Sequence, residues 1–190
     1  DGRGNKASKL DLEAAFVLPA AGAGARLIGF GSGSTPRREK ILVVDESTGD
    51  AVIRDASAFY AGLRAHPLFE GAQLNVEGAV VLETTIRLFQ RGNGKTRDGE
   101  PLNATIDVDR AAFERWLACD GDGDAPAPLS VERYDLGRVR GVSYGFTDAT
   151  VIEAAIVFVA VAEAAQDAVL DGAIAGVAIG TFRAGTIVMT

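Results

Sequence analysis

Short runs rich in Val, Ile and Phe, each closed by Gly, Asp, Asn or Pro, continue through most of the 190 residues, and this rhythm constrains the fold more than any other feature. β-Branched and aromatic side chains suit a pleated, half-buried backbone, and the intervening residues are turn formers, so the pattern predicts an all-β chain. The expected strands are "LEAAFVLP", "ARLIGFG", "EKILVVDES" and "DAVIRDA", then "NVEGAVVLE", "TIRLFQRG", "NATIDVD" and "VERYDLG", then "VSYGFTDATVIE", "AIVFVAVAE", "AGVAIGTFR" and "GTIVMT". Two segments break the rhythm. "SAFYAGLRA" follows Asp55 and opens on Ser57, both good N-cap types, and "DRAAFERWLACDG" spaces Phe113, Trp116 and Leu117 at i, i+3 and i+4 before stopping at Gly121. These predict two short inserted helices, the second docking through its Trp116 stripe.

The strands fall into three sets of four, and each set opens on an acidic residue before a small one: "LEA" at Leu12, "VEG" at Val76 and "TDA" at Thr147. Self-similarity at such a period signals repeated supersecondary units, here spanning about residues 10–70, 74–137 and 142–190. Ile156, Phe158 and Ala160 alternate with Val157, Val159 and Val161, so this strand is apolar on both faces, as a sheet packed between two neighbours requires. The expectation is β-propeller blades of four antiparallel strands, three in this chain. Propellers close with about four to eight blades. Three therefore read as half of a six-bladed ring, completed by blades outside this sequence or by a second copy. The opening "DGRGNKASKLD" has no initiating Met and no apolar core of a signal peptide, which suggests a start within a longer product or after a removed leader. Both cytoplasm and periplasm stay open.

Composition excludes several roles. A formal net charge of -7 argues against nucleic acid as a partner. Cys119 is the single cysteine, so neither an intrachain disulfide nor a thiolate zinc site can form. The most apolar segment, "VIEAAIVFVAVAEAA", carries Glu153 and Glu163 and falls short of the roughly 18 to 20 apolar residues of a membrane helix, so no membrane span is expected.

The acidic repeat positions Glu13, Glu77 and Asp148 are the leading site candidates. At the start of each blade's first strand they would converge on a central channel, where like charges repel or share a cation. With the amide oxygen of Asn75 they form a hard-oxygen set suited to calcium or another divalent ion. The competing reading makes each acid a latch bonded to backbone amides. In "FQRGNG", Arg91 has the fork geometry to clamp a phosphate or carboxylate, with Asn93 beside it and Asn103 opening the next strand, although Gly92, Asn93 and Gly94 are also ordinary turn residues.

Other motifs carry less. "GFGSGSTPRR" lacks the helix that a phosphate-cradling loop needs and reads as a hairpin connection, with Arg37 and Arg38 as weak anion contacts. "CDGDGDAPAP" has Ala125 and Val131 where an EF-hand loop needs Gly and Glu, so it reads as a linker. His66 is the single histidine, so any Ser-His-Asp triad would depend on it entirely.

"NVEGAVVL", followed by "LFQRGNG" and "NATIDVD", resembles an uncharacterised bacterial family of six-bladed β-propellers. More distantly it is similar to the esterase-like phytase and SdiA-regulated propeller proteins, which open a blade with Asn-x-Glu-Gly. The resemblance implies a channel-mouth ligand site, often with a divalent cation, in which Glu77 is a channel carboxylate. Two functions follow as expectations. One is a divalent-metal-dependent hydrolase of a small anionic phosphoester or lactone, with Arg91 orienting the anion. The other is a non-catalytic binding or scaffold propeller whose loops meet a protein or glycan.

Overall fold

A computed structural model describes residues 10–19, 24–94, 96, 99–121, 123–164, 172–183 and 186–190. The chain forms three antiparallel sheets in sequence order. The first joins β1 (Leu12–Pro19), β2 (Ala25–Gly31), β3 (Lys40–Asp45) and β4 (Ala51–Asp55). The second joins β5 (Val76–Val81), β6 (Thr85–Gln90), β7 (Asn103–Asp109) and β8 (Pro128–Tyr134). In the third, β10 (Val142–Ile152), β11 (Ala155–Ala164), β12 (Ala173–Arg183) and β13 (Thr186–Met189) are joined at the β10 edge by β9 (Arg138–Val139). Apart from β9, every strand lies on a segment expected from the apolar rhythm.

Each sheet is an up-and-down meander of blade-like form, and the sheets do not close into a barrel. The first strands lie in a row, β1 against β5 and β5 against β10. Helices α1 (Ser57–Arg64) and α2 (Arg110–Ala118) are inserted, one after the first sheet and one inside the second. Asp109 caps α2 by accepting from the amide of Ala112 at 2.6 Å. Before α1, Asp55 accepts from the Ser57 amide at 3.0 Å, forming a turn that leads in at Ala56. Among the described residues, no helix is long and apolar enough to cross a membrane.

Two apolar clusters hold the sheets together. The larger lies between the first and second sheets, where Phe16, Phe30 and Ile28 meet Ile86, Leu88 and Ile106, and both helices lower Phe59, Phe113 and Trp116 into it. Phe30 and Phe113 stack with centroids 5.7 Å apart, and Phe59 and Trp116 likewise at 5.7 Å. The Trp116 stripe is therefore the docking face that its spacing predicts. The smaller cluster lies between the second and third sheets and is built on Phe89, Phe146 and Phe158, with Phe182 and Tyr134 at its margin.

The three first strands share a β-bulge, which corrects the alignment of the repeat. Pairing skips one residue between Leu12 and Ala14 in β1, and one between Val76 and Gly78 in β5, so Glu13 and Glu77 are the bulged residues. In β10 the skip lies between Phe146 and Asp148. Thr147, not Asp148, is thus the third member, and Asp148 corresponds to Ala14 and Gly78. A bulge re-aims the extra side chain out of the pleat, and sequence similarity alone cannot locate it to a single residue.

Candidate functional site

The strand ends carrying the bulges gather the polar residues of the molecule. β6 runs antiparallel to β5, so Gln90 ends opposite Val76, and the next residue, Arg91, emerges beside Glu77. β7 begins at the same end with Asn103, and β11 reaches it with Glu163.

Arg91 is the centre of this network. Its Nη1 donates to Glu77 Oε1 at 3.2 Å and its Nη2 to Glu163 Oε2 at 2.5 Å, so one guanidinium ties the second sheet to the third. The three side chains are 10, 12 and 15% exposed, respectively. Gly145 makes the path possible: a Cβ there would lie 2.8 Å from Arg91 Cγ. Arg91 Nε is buried without a hydrogen-bond partner among the described residues. Glu163 is held on its other side by the Gly172 amide at 2.6 Å.

The amides extend the network. Asn75 Nδ2 donates to Glu77 Oε1 at 2.8 Å and to Asn93 Oδ1 at 3.0 Å, while its backbone N–H donates to Gln90 Oε1 at 2.7 Å. Asn103 accepts from the Gly92 amide at 2.8 Å and donates to the Tyr144 carbonyl at 2.7 Å, a second tie to the third sheet.

A separate acidic group lies across the joint between the first two sheets. Burial pushes the Glu13 carboxyl up from an ordinary 4.5 to about 7, reinforced by Glu77, then by Asp11, and opposed by Arg38. By surface area Glu13 is nevertheless exposed, so burial acts only on the side of its carboxyl turned into the joint. Burial also raises the Glu77 pKa, with Arg91 and Asn75 pulling the other way. Arg38 is buried, pairs with Asp11 at 2.7 Å and donates to Ser34 at 3.1 Å, so this arginine of the Gly-rich segment is committed to the protein.

The expected cation ligands do not share one position. Asn75 and Glu77 are bonded to each other and to Arg91, and Glu13 interacts with Glu77 across the joint. Asp148 is exposed, and its carboxylate accepts from the adjacent Ala149 amide at 2.8 Å. Among the described residues, no group of three or more His, Cys, Asp or Glu is placed to hold a metal ion. Of the remaining motifs, His66 accepts from the Leu68 amide at 3.4 Å and caps a turn, and Asp120 pairs with Arg54 at 2.7 Å.

Arg91, Asn93 and Asn103 do line open space. A cleft of about 370 Å³ is bounded by Arg91, Asn93, Ser143, Gly145 and Glu163. A second, of about 360 Å³, adjoins it through Glu100, Pro101 and Ser143, and is bounded by Asn103, Tyr134 and Tyr144. Residues 5–189 match the model of a family of unknown function, DUF6910. The chain belongs to that family. No curated protein matches this DUF6910 chain.

Sequence reasoning missed Asp11, Glu163, Gly145 and Tyr144 as parts of this region of the DUF6910 fold. Glu163 left a signal, since it is a carboxylate in an otherwise apolar strand. Gly145 left none, because a glycine's role as clearance for an arginine from another sheet exists only in the packed structure.

Proposed function

We propose that this DUF6910 chain is a non-catalytic binding module that takes a small, polyhydroxylated ligand, such as a saccharide unit, in the paired clefts between its second and third sheets. The carrying observation is the double engagement of Arg91: both its terminal nitrogens are held by Glu77 and Glu163, and the other arginines of the paired clefts, Arg133 and Arg138, donate to the Pro101 carbonyl and to Glu100. Beside charged groups such as Glu100, Asp135 and Arg138, the lining presents amide, hydroxyl and phenol groups of Asn93, Ser143, Tyr134 and Tyr144, a mixture suited to hydroxyl-rich ligands that stack and exchange hydrogen bonds.

The test is a thermal-shift screen of mono- and disaccharides against inorganic phosphate and calcium. A ligand that binds only the folded chain raises the melting temperature with its concentration. A saccharide-dependent rise that Asn93→Ala and Tyr144→Phe weaken is expected. A rise with phosphate alone would sink the reading. A calcium-dependent rise lost in Glu77→Gln would restore the cation-site reading in its place.

A second reading, favoured by the raised pKa of Glu13, is hydrolysis of a small ester. A carboxyl titrating near neutrality is suited to general acid–base work, and the resemblance to esterase-like propellers points the same way. As arranged, Asn75, Glu77 and Asp148 do not fit a cation cage, so this reading rests on Glu13 as the proton-transfer group. Lactone or phosphoester turnover with an inflection near pH 7, abolished in Glu13→Gln, would support it.

A further inference from the structure

We propose that two copies of this chain associate head to tail, the outer face of the first sheet of each covering the outer face of the third sheet of the other, to close a ring of six sheets. This inference is independent of the ligand reading above.

Both terminal faces are largely apolar, with Lys40 and Asp55 at one end of the first and Asp148 and Thr150 on the β10 side of the third. On the first sheet, the side opposite Phe16 and Ile28 carries Leu12, Val17, Leu27, Leu42, Val44 and Ile53, with Leu27 40% and Ile53 52% exposed. On the third, the side opposite Phe158 carries Ile152, Val157, Val159, Val177, Ile179 and Val188, with Ile179 56% and Val177 60% exposed. Four strands at about 4.8 Å spacing and roughly 17 Å of length make about 300 Å² of flat surface per face. Each face alone matches the largest apolar patch of an ordinary monomer, about 300–600 Å²; carrying two of them on opposite ends of one chain is what points to an interaction.

The joints inside the chain choose the occupant. Successive sheets always meet in the same sense, with the residue after the bulge facing the following sheet. Ala14 is buried in the cluster shared with the second sheet. Gly78 abuts the third, where a Cβ would lie 3.1 Å from Ala149 N and 3.2 Å from the Asp148 carbonyl carbon. Asp148 occupies the equivalent place in the third sheet and faces solvent. Repeating the same step once more from β10 seats a first strand of the same kind against it, and in a closed pair a second copy supplies its β1 while receiving the first copy's β1 on its own third sheet. Six sheets fall within the range in which propeller-type rings close, and a head-to-tail contact that closes is self-limiting. Two such joints would bury roughly 1,200 Å² in total, the lower bound of specific, stable interfaces.

Sedimentation velocity and native mass measurement on the full chain test this. The expected result is a two-copy species, reduced to single copies by either Leu27→Glu or Ile179→Glu. Both residues are exposed, so circular dichroism of each variant should match the parent; if either fails to fold, the milder Val17→Thr and Val177→Thr replace them and should weaken association several-fold. Mixing the two Glu variants is the decisive arm. A head-to-tail pair of unlike variants keeps one unaltered joint of roughly 600 Å², so the mixture should associate more strongly than either variant alone and more weakly than the parent. A single-copy parent chain would overturn the proposal, as would dissociation by only one of the two variants, absence of complementation, or open chains longer than two.

Discussion

The joint between the first and second sheets and the joint between the second and third grow from the same repeated strand pattern, yet they are sealed by different physics. At the first, two inserted helices close an aromatic cluster in which Phe30, Phe59 and Phe113 are fully buried. At the second no helix intervenes among the described residues; Phe89 and Phe158 meet Phe146 edge to face, Phe182 stacks on Phe146, and the margin is finished with charge. Arg87, gripped by both oxygens of Asp107 at 2.7 Å, lies 5.8 Å from the Phe182 ring centroid, and Arg91 spans Glu77 and Glu163. Apolar burial is non-directional and tolerant of pH, whereas a nearly buried ion pair is stabilising only while every partner is present. The same blade-like unit therefore makes one joint held chiefly by apolar burial and one whose margin is closed by ion pairs.

Phe113→Ala should give the largest loss, about 4 kcal/mol, because it opens a cavity where four aromatic rings meet. Chemical denaturation should show it as a single cooperative transition that is insensitive to salt.

Arg91→Met should cost about 3 kcal/mol by leaving two nearly buried carboxylates unpaired. Hydrogen exchange should place the weakening in β10 and β11, and adding Glu77→Gln should recover part of the loss. If the amides of the first sheet were deprotected equally, the two joints would not be the separate units described above.

Gly145→Ala should cost about 1–2 kcal/mol, since the new methyl group must displace the Arg91 stem. Because that stem is flexible, the substitution should loosen the Arg91–Glu163 pair more than the fold. A thermal melt combined with the exchange pattern of β11 would check this.

The smallest expected effect is a slope with pH. Glu13 has a folded pKa of about 7 against an ordinary 4.5, so the native state binds the proton more tightly than the unfolded chain does. Its contribution is complete below about pH 4.5 and is lost as pH rises through about 7. The raised Glu77 acts in the same sense. Melting temperature followed from pH 4 to 8 should fall less in Glu13→Gln than in the parent, while Phe113→Ala keeps the parent's slope.

The organisation of the fold was legible because apolar period and turn chemistry are local. β5, β6 and β7 lie where "NVEGAVVLE", "TIRLFQRG" and "NATIDVD" place them, and the Phe113, Trp116 and Leu117 spacing marks the buried side of α2. The site was legible in part. Glu77, Asn75, Arg91 and Asn93 do form one network, and Arg91, Asn93 and Asn103 line its clefts. Glu13 faces Glu77 across a joint, as its repeat position suggested. Asp148 does not join them, because one bulged residue moves Thr147 into its place and turns Asp148 to the outer face.

What the sequence by itself determined was four strands of each sheet, the two helices, the three-fold repetition and the acidic residues of the first two bulges. All of these depend on residues within a few positions of one another, where side-chain period and turn preference act. Only the tertiary structure decided which charges meet. The pairing of Arg91 with Glu163 and the clearance at Gly145 are set by how separate sheets pack, and a buried charge takes its energy from whatever that packing places within a few ångströms.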